Sequence, residues 1–156
     1  SILARTRTKV LLFGWSFNTD KDRPYKPDAN GFIAVPEKAL HVDTTNERYQ
    51  GDMDVAQRGN RLYDRKKGTF TFTKTVYLDL TIDMDWNDLP EAAKHYIAAE
   101  ASEQAVAELD GDAARIQLAR MNTMRARRDM MSHEISTSDN TIFDPETEYN
   151  IRARRR

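Results

Sequence analysis

Thr75-Val76-Tyr77-Leu78-Asp79-Leu80-Thr81-Ile82-Asp83-Met84-Asp85-Trp86-Asn87-Asp88-Leu89-Pro90-Glu91 is the stretch that decides the fold. Side chains alternate across a strand with period two, so Val76, Leu78, Leu80, Ile82 and Met84 share one face. Tyr77, Asp79, Thr81, Asp83 and Asp85 share the other. One face is therefore core and the other wet. The pattern then changes. Asp88 stands where its carboxylate can accept from free backbone amides, Glu91 can reach back as in a capping box, and Pro90 suits a first helical turn. Sheet is predicted before this junction and helix after it.

Downstream, Ala92, Ala93, Tyr96, Ile97, Ala101, Ala105 and Leu109 recur at helical spacing, and so many alanines let a neighbouring element approach closely. Asp110-Gly111-Asp112 reads as an interhelical turn. A second helix from Ala113 to about Glu134 carries Leu118, Met121, Met124 and Met131, and a methionine stripe at this spacing reads as core. Together they predict a helical hairpin over residues 88–134. Upstream, residues 1–13 read as a basic helix stopped by Gly14, with Trp15 and Phe17 as anchors. Residues 18–30 have loop composition. Phe32-Ile33-Ala34-Val35 and Leu40-His41-Val42-Asp43 are short strand candidates. Residues 53–57 and 61–64 flank the turn Arg58-Gly59-Asn60, and a second turn lies at Lys66-Lys67-Gly68. A β-rich insertion is thus expected over residues 31–85. The fold class is α+β: a helical bundle with an inserted antiparallel sheet, forming one domain over residues 1–134, and an extended C-terminal arm over 135–156.

Composition narrows the function classes. In 156 residues, 24 Lys and Arg balance 25 Asp and Glu for a net charge of −1, so any preference for nucleic acid must be local. There is no cysteine, which removes disulfides, thiolate metal sites and cysteine nucleophiles. No apolar run reaches the roughly 20 residues of a membrane span, and no secretion signal is visible. The chain starts without methionine inside an apparent helix, so residues upstream are expected.

Asp79, Asp83 and Asp85 in a row could ligate a cation or act as an acid and base pair, but no second acidic cluster, histidine or glycine-rich loop converges on them, and a solvated sheet face is the preferred reading. His41, His95 and His133 fall on separate elements at no ligand-like spacing. No catalytic residue, metal ligand or cofactor is assigned, and the chain is not expected to be an enzyme. Arg115, Arg120, Arg125, Arg127 and Arg128 are candidate DNA-channel or inter-subunit charges, with an ordinary charged helix face as the plainer alternative. The tail from Ser132 turns polar, leaving Phe143, Tyr149 and Ile151 before Arg152, Arg154, Arg155 and Arg156. It is expected to order on a partner chain, as an interface arm.

The order of motifs carries a resemblance. Gly14-Trp15-Ser16-Phe17-Asn18, then Gly31-Phe32-Ile33-Ala34-Val35-Pro36 with Leu40-His41-Val42-Asp43, then Arg58-Gly59-Asn60-Arg61-Leu62-Tyr63-Asp64, then Leu89-Pro90-Glu91-Ala92-Ala93 with Tyr96-Ile97, resemble the tail tubular protein A family of short-tailed bacteriophages. The resemblance implies a structural virion protein, the adaptor or gatekeeper. This is a dodecameric ring joining the portal protein above to the nozzle, tail tubular protein B, below, and enclosing part of the conduit through which genomic DNA passes. A tail fibre is a further candidate partner. The expected location is the virion tail, assembled in the host cytoplasm. Two rival readings are a carbohydrate-acting tail enzyme using the aspartate face, and a nucleic-acid-binding module using the arginine-rich helix.

Overall fold

A computed structural model describes residues 1–137. It has the α+β architecture expected, with helices α1 (Ile2–Leu11), α2 (Asn46–Tyr49), α3 (Glu91–Leu109) and α4 (Ala113–Thr137) and strands β1 (Thr19–Tyr25), β2 (Ala39–Thr44), β3 (Val55–Arg58), β4 (Arg61–Asp64) and β5 (Val76–Ile82). The chain divides into two compact units. One holds Ser1–Phe17 and the chain from Asp85 onward; the other is Asn18–Met84.

In the β unit, β5 is the middle strand of an antiparallel sheet ordered β1-β5-β2, with Tyr25 opposite Val76 and Thr44 opposite Leu78. Its alternation works as the sequence predicts: Val76, Leu78 and Leu80 are buried and join Ile33, Val35, Val42, Val55, Leu62 and Phe72 in one core. Thr81 is buried too, although it lies on the other face. β3 and β4 form the expected hairpin around Gly59, which takes a φ of 64° that a residue with a side chain adopts only with strain.

Three expectations for this unit are corrected. Residues 18–30 are not all loop, because Thr19–Tyr25 pairs with β5 as an exposed edge strand. Its polar sequence suits an edge, where Pro24 is also tolerated. Phe32–Val35 is not a strand but makes isolated bridges, Phe32 to Thr71 and Ala34 to Arg61. The row of three aspartates does not exist, since β5 ends at Ile82 and Asp85 belongs to the helical unit. Asp79 is structural: its carboxylate accepts from the Asp22 backbone N–H at 2.9 Å and the Thr45 hydroxyl at 3.0 Å. These bonds hold the irregularity of β1, where Asp22 has a φ of 56°. Arg48 binds the Asp22 carboxylate and, chiefly through that hydrogen bond, holds it below the usual carboxylate pKa.

In the helical unit, α1 is capped by the Ser1 hydroxyl and ends before Gly14, whose φ is 74°. The start of α3 differs from expectation. Residues 86–88 form a 3-10 turn, Pro90 is the N-cap with an extended ψ of 148°, and no side chain caps the helix. The capping box at Asp88 and Glu91 is therefore not formed. Pro90 contributes its carbonyl, accepting from Lys94 N–H at 3.0 Å. Asp112, in the expected interhelical turn, caps α4 by accepting from Arg115 N–H at 2.9 Å.

Candidate interaction surface

Along α4 the more buried residues are Ile116, Ala119, Thr123, Ala126, Met130 and Glu134, spaced 3, 4, 3, 4 and 4 apart. This seam packs on α3, where Ala93, Ile97 and Ala101 are buried. Thr123 reaches across, its hydroxyl donating to the Ala99 carbonyl at 3.2 Å. Glu134 closes the far end. Its carboxylate accepts from the Ser16 backbone N–H at 2.7 Å and the Ser16 hydroxyl at 2.8 Å. Trp15, beside it in sequence, is buried, donates its indole N–H to the Val10 carbonyl at 2.9 Å and lies 4.9 Å from the Phe13 ring. The Gly-Trp-Ser motif is thus a clasp between the end of α1 and the end of α4, and nothing in the local sequence around Ser16 or Glu134 announces it.

The expected methionine core is corrected. Leu118, Met121 and Met124 are 61%, 54% and 60% exposed, Ile135 is 40% exposed, Met131 is half-buried, and the buried methionine is Met130. α4 carries two stripes at heptad-like spacing, and the smaller residues take the inside because they allow α3 to approach closely. The large residues are left on the outside. Rows of large apolar side chains held in water are uncommon on monomers and mark contact surfaces.

The five candidate arginines are not one cluster. Arg115 pairs with Asp110 at 2.6 Å and Arg120 with Glu103 at 3.3 Å. Arg127 lines a cavity of about 250 Å³ with Phe13, Trp15 and Tyr96. Arg125 and Arg128 are exposed without an ion-pair partner among the described residues and border the apolar row. Phe143, Tyr149, Ile151, Arg152, Arg154, Arg155 and Arg156 lie outside the described residues.

Burial, together with the charge of Glu100 and a hydrogen bond to it, pushes the Tyr96 hydroxyl up to about 12. The neutral phenol is favoured in the folded chain relative to the unfolded one, so this contribution is intact below pH 10 and is lost as pH rises from 10 towards 12. In an ultraviolet titration of phenolate absorbance, one tyrosine is expected to titrate last, near pH 12, and that late step should vanish in Tyr96→Phe. A Tyr96→Phe curve identical to wild type would remove the assignment.

In the β unit a second surface is built by the Arg58–Asp64 motif. The Arg61 guanidinium lies 4.8 Å from the Phe32 ring and 4.3 Å from the Phe70 ring, while Arg58 stacks on Tyr63 at 3.7 Å. Leu62 is fully buried between these half-exposed residues, and Asp64 accepts from the backbone N–H groups of Lys66 and Lys67 at 3.0 Å each, which forms the expected turn there. Among the described residues no group of three or more His, Cys, Asp or Glu is placed to hold a metal ion, and no helix is long and apolar enough to cross a membrane.

The family model described as tail tubular protein matches residues 1–140. Tail tubular protein A of Klebsiella phage KP34 is 32% identical over 143 residues, covering 88% of this chain and 74% of that protein. A family match of this extent, with motifs that the fold explains as clasp, hairpin and helix start, places the chain in the tail tubular protein family, as a structural protein of a phage tail.

Proposed function

We propose that this tail protein is the adaptor of a short tail: a ring-forming subunit that joins the portal to the nozzle and surrounds DNA during ejection. The observation that carries this reading is the exposed apolar row on α4, bordered by Arg125 and Arg128, in a chain of the tail tubular family. A surface of that kind is suited to assembly, and in a ring each modest contact is reinforced by closure. The family argues for a structural rather than an enzymatic role, and Asp79, which the enzyme reading would need, spends its carboxylate on β1 and Thr45. Pairing of Arg115 and Arg120 within the chain leaves little of the arginine-rich path that a nucleic-acid-binding module would use.

In this reading twelve copies form the ring, tail tubular protein B is the neighbour below, a tail fibre is a further candidate partner on the β unit, and assembly takes place in the host cytoplasm. The arm, with Phe143, Tyr149, Ile151 and the terminal arginines, reaches the portal. Native mass spectrometry of the chain mixed with its cognate portal ring tests the proposal. A defined multi-copy complex is expected, and removal of Arg152–Arg156 should weaken attachment to the portal while the circular dichroism of the chain is unchanged. Absence of any complex would overturn the adaptor role; undiminished attachment would overturn the role of the arm.

A further inference from the structure

We infer that the unassembled chain stows its own C-terminal arm: Phe143 seats in the cavity between α1, α3 and α4, and Asp144 pairs with Arg127. This goes beyond the adaptor reading, on which only the later release of the arm to the portal rests.

The cavity is of a size for one side chain. At about 250 Å³ it falls below the roughly 300–1,000 Å³ of small-molecule sites. Phe13, Trp15 and Tyr96 line it, and aromatic rings favour a further ring set offset or edge-on against them. The lining also carries charge, from Lys9, Glu100 and Arg127. Lys9 is paired with Glu100, whereas Arg127 has no ion pair among the described residues. The site therefore suits an aromatic ring with one carboxylate beside it. Phe143-Asp144 is such a pair, and it lies in a stretch, residues 129–151, that holds six Asp and Glu and no Lys or Arg to neutralise them.

Reach selects this pair. Arg127 and Glu134 are seven residues apart and so share one face of α4, and Glu134 is held by Ser16 next to Trp15. The helix ends at Thr137. From there back to Arg127 is ten residues, about 15 Å at roughly 1.5 Å per residue. Phe143 is six residues beyond Thr137, and an extended chain of that length spans about 20 Å. Ser138-Asp139-Asn140, directly after the helix, are residue types that favour a turn. Phe143 thus reaches the level of Arg127 with little slack. Glu148-Tyr149, the other neighbouring acid and ring, would close a loop twice as long, at a greater entropic cost. A ring tethered this closely has an effective concentration on the order of millimolar, so a small cavity suffices to hold it. Stowing keeps Phe143 off other copies until the portal competes for the arm.

Chymotrypsin cuts after Phe143 only when the ring leaves the cavity, and cleavage of a transiently open state tracks its population. In the full chain the cut after Phe143 is expected to be at least about tenfold slower than in a synthetic peptide of residues 138–156, while the cut after Tyr149 is alike in both. Arg127→Asp should speed the Phe143 cut about threefold or more, the scale of a lost exposed ion pair. In an Asp144→Arg background the same Arg127→Asp change should slow it, because the pair is restored with its charges exchanged. Each comparison keeps the sequence at the cut bond constant. Faster cutting at both sites and in both backgrounds would mean that Arg127 only holds the helices together, and would overturn the pairing. So would a cut after Phe143 at the peptide's rate, protection of Tyr149 instead, or protection that fades on dilution, as the arm of a second copy would give. Protection of Phe143 in a chain that forms no portal complex would overturn the adaptor reading alone. A portal complex from a chain whose Phe143 is cut at the peptide's rate would overturn the stowed arm alone.

Discussion

Trp15→Ala is expected to destabilise the helical unit by about 3–5 kcal/mol, the range for removing a large buried aromatic side chain. Total stabilities of single domains are about 5–15 kcal/mol, so this is a large share. The effect has three sources. Trp15 is only 2% exposed, so its removal opens a cavity that α1 and the end of α4 fill only partly. It also abolishes the indole hydrogen bond to Val10 and the ring contact with Phe13. The neighbouring bonds from Ser16 to Glu134 depend on the backbone course that the indole fixes. Trp15→Phe keeps most of the volume and loses one hydrogen bond, whose net worth is about 0.5–1.5 kcal/mol, and Val10 still accepts from Phe13 N–H at 3.2 Å. It should therefore cost less than half as much. The urea midpoint followed at the helical circular dichroism band measures both. A loss below about 1 kcal/mol for Trp15→Ala would refute the anchoring role, because hydrophobic burial alone predicts more.

The parts of this fold that were legible are those in which one local pattern acts alone. β5 reads as a strand because it is apolar on one face and sits between two partners, and the Arg58-Gly59-Asn60 turn reads from its glycine. β1 was hidden for the opposite reason. Thr-Asp-Lys-Asp-Arg-Pro-Tyr buries almost nothing, and its strand state comes from the ladder offered by β5, a tertiary effect that composition does not carry. The start of α3 lies two residues later than the sequence predicts, because Pro90 stands at the edge of the first turn and not inside it. A proline satisfies either position, so only the 3-10 turn before it decides.

The site was less legible than the fold. Periodicity found a stripe on α4 but could not say which of two stripes faces inward. Size pointed to the methionines; closeness of packing chose Ala119, Thr123 and Ala126 instead. That error is itself informative, because the residues a core would have absorbed remain available on the surface. The Ser16–Glu134 clasp joins residues far apart in sequence through side chains of ordinary surface composition, so no local rule identifies it.

Leu78→Ala is expected to cost about 3–5 kcal/mol, the upper part of the 2–5 kcal/mol range for such truncations. The cost depends on how far the site can collapse, and here collapse is resisted. Leu78 is fully buried in the middle strand, opposite Arg23 on β1 and Thr44 on β2, so the backbone is held from both sides. It shares its core with Ile33, Val35, Val42 and Leu62, and the backbone there is held by hydrogen bonds from Leu62 N–H to the Ile33 carbonyl and from Val35 N–H to the Asn60 carbonyl, each at 2.9 Å. The neighbouring residue provides the contrast. Tyr77 points to the opposite face, half-exposed, with the Arg48 guanidinium 3.8 Å from its ring centre. Exposed cation–π contacts are worth about 0.5–1 kcal/mol, so Tyr77→Ala should cost clearly less than Leu78→Ala. Hydrogen exchange of the β5 amides measures both variants in the unit concerned. Equal costs at the two positions would mean that the alternation of this strand, on which the reading of the whole sheet rests, does not separate core from surface.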